Sequence, residues 1–190
     1  MVERSSAVQR GRFRLLFSLV GLFWGLELLD TLFLGQSLNQ FGIRPRLLPG
    51  LRGVLLAPLL HGGLGHLLAN TVPFALLGAL VAATGRRTFV WVTGFSWLVG
   101  GLGVWLLGGE RTLHIGSSIL VFGYLGYLLA RAFYERSLLS LSVALIVGVT
   151  YGGALWGVLP LQAGVSWQGH LFGFVGGVLA ARAGSKTPEW

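Results

Sequence analysis

The sequence predicts an all-α polytopic membrane protein, a bundle of six transmembrane helices. Three observations carry that prediction. Of the 190 residues, 54% are hydrophobic and only 11% charged, with a mean hydropathy of +0.75, a balance foreign to soluble domains of this size. The apolar residues gather into six runs, and a chain of this length accommodates about six helices of ~20 residues with their loops and no separate soluble domain. The 14 Lys and Arg residues are shared unevenly between alternate connections, as expected when one side of a membrane collects positive charge. The net charge of +8 therefore reads as loop charge and not as a nucleic-acid footprint. Cysteine is absent, which excludes disulfides, thiol catalysis and thiolate metal sites. The 31 glycines suit close helix packing.

Residues 1–14 form a basic tail with Arg4, Arg10, Arg12 and Arg14. The membrane domain occupies 15–184, and 185–190 is a short second tail. The first apolar run, Leu15 to Gly35, is too long for the core of a signal peptide and has no small-x-small cleavage site after it; it is expected to be retained as a helix. Its Glu27 and Asp30 read as groups that reach the outer interface or pair with polar neighbours, in preference to a catalytic role. Residues 36–64 form a long connection with Arg44, Pro45, Arg46, Pro49 and Arg52. Within it VLLAPLL, 54–60, is too short to span and is interrupted by Pro58, so it is expected to lie in the interface or dip into the protein. The second helix is expected from Leu64 to Thr84 and the third from Phe89 to Leu107. The loop GGERTLHIG leads to the fourth, Ser118 to Arg131. The fifth spans Leu138 to Val158, the uncharged loop LPLQAGVSW follows, and the sixth runs from Gly169 to Ala183. There is no internal repeat and no low-complexity tract.

Six spans put both termini on one side. That side collects ten basic residues, among them Arg86, Arg87, Arg131, Arg136, Arg182 and Lys186, and the other collects Arg44, Arg46, Arg52 and Arg111. The termini are therefore expected to be cytoplasmic and the starts of helices four and six to face outward.

Polar side chains in such segments are costly and mark functional sites. Ser118 opens the fourth run inside GSSILVFG, 116–123. Arg131 follows it by 13 residues and Arg182 follows His170 by 12, which places hydroxyl and imidazole ~20 and ~18 Å above the inner boundary. Asn70 and His66 fall at similar or greater height in the outer half, and their i,i+4 spacing gives them one helical face. His61 sits near the entrance to the same helix. Three readings compete for this set. It is helix-joining polar glue; or a metal site, for which HGGLGH has the wrong spacing and no carboxylate; or serine chemistry. In the last, His170 is the base for a serine hydroxyl, and the Ser118 amide, Asn70 and His66 face the oxyanion. GSSIL is not the soluble-hydrolase elbow, because position 120 is Leu. Ser117 is the rival nucleophile, and spacing does not choose between the two. No Asp or Glu adjoins His170, so the expectation is a Ser–His dyad whose imidazole is held by packing against an aromatic such as Phe122.

HGGLGHLLAN (61–70), GSSILVFG (116–123) and GHLFGFVGG (169–177) together resemble the three signatures of rhomboid intramembrane serine proteases. The match covers roughly residues 40–184. The resemblance implies Ser118 as nucleophile and His170 as base, with His66 and Asn70 assisting the oxyanion; His61 and Gly116 belong to the same motifs. It implies that Gly173 and Gly177 let helix six approach helix four, which fits the small-xxx-small rule. It also implies that VLLAPLL is part of a large first loop, and that helix five and the loop after it form a substrate gate and cap. Ile119 stands where many members have Gly, Phe122 where a tyrosine often packs on the histidine, and Leu51-Arg52 where an aromatic-Arg pair is usual. The expected activity is endoproteolysis of transmembrane segments of other membrane proteins near their outward ends, in the lipid bilayer, with no metal, organic cofactor or nucleic acid. The alternatives are an inactive rhomboid-like protein that binds membrane proteins, and a small transporter, which the lack of repeats and paired broken helices disfavours. Substrate and oligomeric state are not encoded legibly.

Overall fold

The computed structural model describes residues 2–162 and 164–185, with side chains for Gly11 and from Phe13 onward. The side chains of Arg4, Arg10 and Arg12, as well as Lys186, Ala163 and the tail beyond Ser185, lie outside the described residues. Every regular element described is helical. Six long helices dominate: α1 (Val2–Leu29), α2 (Leu64–Thr84), α3 (Arg86–Leu107), α4 (Ser118–Glu135), α5 (Leu138–Tyr151) and α6 (Trp167–Gly184).

Four segments, Phe13–Leu34, Leu64–Thr84, Arg86–Leu107 and Leu138–Val158, are long and apolar enough to cross a membrane. The helices α4 and α6 have 18 residues each and fall outside that set, since α4 carries Arg131 and Glu135 and α6 carries Gln168, His170 and Arg182. Ile119 through Leu128 is one unbroken buried run, so that stretch of α4 is enclosed on all sides by protein. Its glycines and tyrosines meet other helices, and a helix that faces protein all round needs no lipid-matching surface.

Several boundaries depart from expectation. The first helix begins at Val2, not Leu15, because the polar segment before it contains few strong helix breakers. It leaves the membrane run through a π-helical turn, Asp30–Leu34, closed by Gly35 in the left-handed region. That turn satisfies the two carboxylates. Glu27 Oε1 accepts from Thr31 Oγ1 at 2.9 Å and from Gln36 Nε2 at 3.1 Å, and Asp30 Oδ1 accepts from the Leu38 amide at 3.0 Å. The third helix starts at Arg86, so Gly85 alone joins it to α2. The fifth stops being α-helical at Tyr151, and Gly152–Val158 continues as a 3-10 helix, as the Gly152-Gly153 pair favours.

VLLAPLL is a short α-helix, Gly53–Leu56, followed by a 3-10 turn, Ala57–Leu59. It is pinned to the bundle. Trp97 Nε1 donates to the Val54 carbonyl at 2.9 Å, Trp105 Nε1 to Leu47 at 3.0 Å, and Arg46 Nη1 to Gly108 at 2.9 Å. Ile43 and His114 exchange backbone bonds of 2.9 and 3.0 Å, and the Gly116 amide donates to Ala57 at 2.9 Å. The first connection is thus a fixed floor beside the start of α4.

The core lies where α2, α3, α4 and α6 meet, with Phe74, Leu77, Phe89 and Tyr124 fully buried. Tyr124 places its hydroxyl 3.0 Å from Thr93 Oγ1, which satisfies a polar atom in the apolar interior. The largest interface is α4 with α6, followed by α3 with α6.

Candidate active site

Ser117 is the residue before α4 and Ser118 its first helical residue. The turn that delivers them requires Gly116. Its φ is +118°, a conformation L side chains rarely adopt, and a Cβ there would lie 2.8 Å from His66 Cε1 and Nε2. Gly116 thus lets the His66 ring rest against the backbone that leads to the serines.

The two hydroxyls part at this turn. Ser117 is fully buried, with its Oγ 3.1 Å from His61 Nε2, and its amide reaches the same nitrogen at 3.4 Å. Ser118 instead lines an open cleft of about 730 Å³. His66, Asn70, His114, Trp167 and His170 line the same cleft. Ser118, His170, His66 and Asn70, expected together from three separate helices, therefore share one cavity. Among the described residues no hydrogen bond joins Ser118 to His170.

The imidazoles have definable tautomers. His170 Nδ1 is 2.9 Å from the Gly157 carbonyl, which only accepts, so Nδ1 carries the proton and Nε2 keeps a lone pair. The ring is stacked on Phe122, centroids 4.0 Å apart and planes within 8°. Phe122 is the expected packing partner, and the Gly157 carbonyl, which no sequence signal marks, fixes the ring's tautomer and orientation. His66 Nδ1 accepts the Gly62 amide at 3.3 Å, so its Nε2 carries the proton and lies against Gly116. Asn70 commits one amide hydrogen to the His66 carbonyl at 3.2 Å and has a second available. The Ser118 amide is among the first of α4, which have no partner in the helical ladder.

His61 lies behind the cleft, under Ser117 and against the rings of Phe23 and His66 at 5.6 and 5.3 Å. Burial, reinforced by the neighbouring His66, pushes its pKa down from 6.5 to about 4, so it is neutral over the physiological range. Gly173 and Gly177 sit on the α6 face that meets α4. A Cβ on Gly173 would strike the Ile119 carbonyl, and one on Gly177 the Gly123 carbonyl. Ile119 packs against Gly100, Gly169 and Gly173, away from the cleft.

An uncharacterized protein of Mycobacterium tuberculosis is 44% identical over 174 residues, covering 87% of this chain and 72% of its own length. One from Mycobacterium leprae is 40% identical over 174 residues, 87% of this chain and 68% of its own. RHOMBOID-like protein 4 of Arabidopsis thaliana is 32% identical over 130 residues, 63% of this chain and 30% of its own. A family model described as the Rhomboid domain matches residues 50–187, which takes in all three motifs and the whole cleft: the chain belongs to the rhomboid family of membrane proteins.

Proposed function

We propose that this chain is an intramembrane serine endopeptidase that cuts transmembrane segments of other membrane proteins near their outward ends. The observation that carries the reading is the common cleft. The Ser118 hydroxyl, the His170 imidazole with a bare Nε2 and at least two hydrogen-bond donors line the same space. In the proposed reaction Ser118 Oγ attacks the scissile carbonyl carbon as its proton passes to His170 Nε2. The oxyanion is held by the Ser118 amide, Asn70 Nδ2 and His66 Nε2. His170 then returns the proton to the leaving amine, and a water activated by the same nitrogen hydrolyses the acyl-enzyme. The dyad closes on substrate, since catalytic hydrogen bonds are commonly long or absent in the free enzyme.

In this reading α4 and α6 cross the membrane with the other four helices, the termini are cytoplasmic, and the cleft opens to the outside of the cell membrane. Ten basic residues against four support that orientation.

The second reading, a non-catalytic rhomboid protein that binds membrane proteins, is favoured by the unbonded Ser118. A fluorophosphonate probe on the intact protein in detergent decides. Labelling should fall at least ~10³-fold in Ser118→Ala. Labelling that survives there and vanishes in Ser117→Ala transfers the role to the buried hydroxyl. Folded protein that neither labels nor releases any transmembrane substrate in a Ser118-dependent way supports the binding reading.

A further inference from the structure

His114 is used by none of the chemistry above, yet it lies 7% exposed at the wall of the cleft with both ring nitrogens engaged. Nδ1 is 2.6 Å from Ser166 Oγ and Nε2 is 2.7 Å from Thr112 Oγ1. The directions of these bonds follow from their neighbours. Thr112 Oγ1 donates its proton to the Gly109 carbonyl at 2.6 Å, so it accepts from His114 Nε2–H. Nδ1 is then bare, and Ser166 donates to it. Ser166 Oγ in turn accepts the Gly169 amide at 3.3 Å and is the N-cap of α6. One chain of bonds therefore runs from Gly169 through Ser166, His114 and Thr112 to Gly109, each donor matched to an acceptor. His114 is itself held by its backbone, which pairs with Ile43 in both directions.

We infer that His114 is a positioning residue: it clamps the N-cap of the helix that carries His170 to the loop that delivers Ser118. His170 is the fourth residue of α6, less than one turn from Gly169, so the height and rotation of that first turn decide where Nε2 points. The ring's own hydrogen bond, to the Gly157 carbonyl, comes from a segment attached to α5. Phe122 of α4 fixes the plane of the ring, and the clamp adds a tie between the first turn of α6 and the loop that precedes Ser118. A loss of alignment of ~1 Å is worth ~10²-fold in rate.

The inference rests on the serine-peptidase reading for its rate effect but not for its geometry, and the test separates them. Full-length protein in detergent is compared as wild type, His114→Ala, His114→Asn, Ser166→Ala and the double His114→Ala/Ser166→Ala. Expected are a tenfold or greater fall in Ser118-dependent cleavage rate for His114→Ala, with KM changed less than twofold, and recovery to within about threefold in His114→Asn, whose Oδ1 accepts from Ser166 in place of Nδ1. The double variant should be no slower than the slower single. Unchanged rate in His114→Ala, failure of Asn to rescue, or multiplying effects overturn the clamp. Nitrogen-15 spectra of the wild-type histidines read it without activity. A protonated Nε2 and a bare Nδ1 that shifts in Ser166→Ala sustain it, and the opposite tautomer or no shift ends it, even where the protein neither labels nor cleaves.

Discussion

The interface between α4 and α6 and the outer face of α5 are built on opposite terms. Between α4 and α6 backbone touches backbone. Gly173 lies against the Ile119 carbonyl, Gly177 against that of Gly123, and Gly126 against that of Phe174. The third helix joins them: a Cβ on Gly176 would come within 2.9 Å of Ser96 Cα. Helix α5 presents Leu138, Leu145 and Val149 at 85, 69 and 78% exposure, and a Cβ added to Gly148 would meet nothing nearer than Leu129 Cδ2 at 3.9 Å. Helices in lipid gain nothing from hiding apolar surface, so close van der Waals contact is what holds them. The half that carries Ser118 and His170 has that contact in quantity, and α5 has little of it. His170 belongs to both halves, since its face rests on Phe122 of α4 and its Nδ1 on the segment after α5.

The largest expected effect breaks the tight half. Gly177→Val places branched carbons against the Gly123 carbonyl and the Tyr127 amide, neither of which is a side chain able to swing away. It should cost ~3 kcal/mol or more, with loss of cooperative unfolding and of all activity. Gly148→Val, the matched change on α5, should leave the unfolding midpoint nearly in place. Equal damage from the two changes ends the contrast.

Next in size is the ring under His170. Phe122→Leu keeps apolar volume and loses the flat surface parallel to His170. The imidazole then hangs from Gly157 alone, and Ser118-dependent labelling should drop ~10- to 100-fold with a small change in stability. Phe122→Tyr keeps the stack and should stay within ~3-fold of wild type. A leucine variant with wild-type rate shows that the carbonyl suffices.

A smaller effect reports on the floor of the site. His61 is held near pKa 4 when folded, against 6.5 for an unperturbed histidine. Its contribution to stability is complete above 6.5. Below that the unfolded chain takes up a proton that the folded one refuses, so stability falls as pH drops from 6.5 toward 4, by at most ~1.4 kcal/mol per unit. Unfolding followed across this window should show a slope that His61→Asn reduces. An unchanged slope means that His61 is more open to water than its place under Ser117 indicates.

How much of this was legible in the sequence follows the same division. The tight half was written in residue types and spacing. His66 and Asn70 at i,i+4, glycines at 173 and 177, and matched distances from Ser118 and His170 to their basic ends all follow from helix geometry, and each is a residue whose presence in lipid demands a reason. The choice between Ser117 and Ser118 as the hydroxyl facing the cleft was not legible, because one residue of turn at Gly116 decides it. The Gly157 carbonyl was invisible, because every residue has a carbonyl and only folding selects one. The break at Tyr151 had a signal in Gly152-Gly153 that hydropathy alone smooths over. Among the described residues four segments satisfy length and hydropathy for a span, and the two long helices that do not are those carrying Ser118 and His170, where glycines serve contacts with other helices in place of lipid.

The smallest expected effect tests the loose half directly. Leu145 is 69% exposed on α5, so Leu145→Ala removes atoms that touch few others, and should change stability by less than ~0.5 kcal/mol. Leu120, fully buried on α4, should cost ~2–5 kcal/mol when truncated the same way, because its neighbours are left facing a cavity. The cleavage rate adds the functional half of the argument. If substrate enters past α5, thinning its lipid face leaves the rate unchanged or raises it, since less must be displaced for the cleft to admit a helix. A fall in rate at constant stability in Leu145→Ala instead makes that face part of what the substrate touches, and α5 becomes a recognition surface as well as a passage.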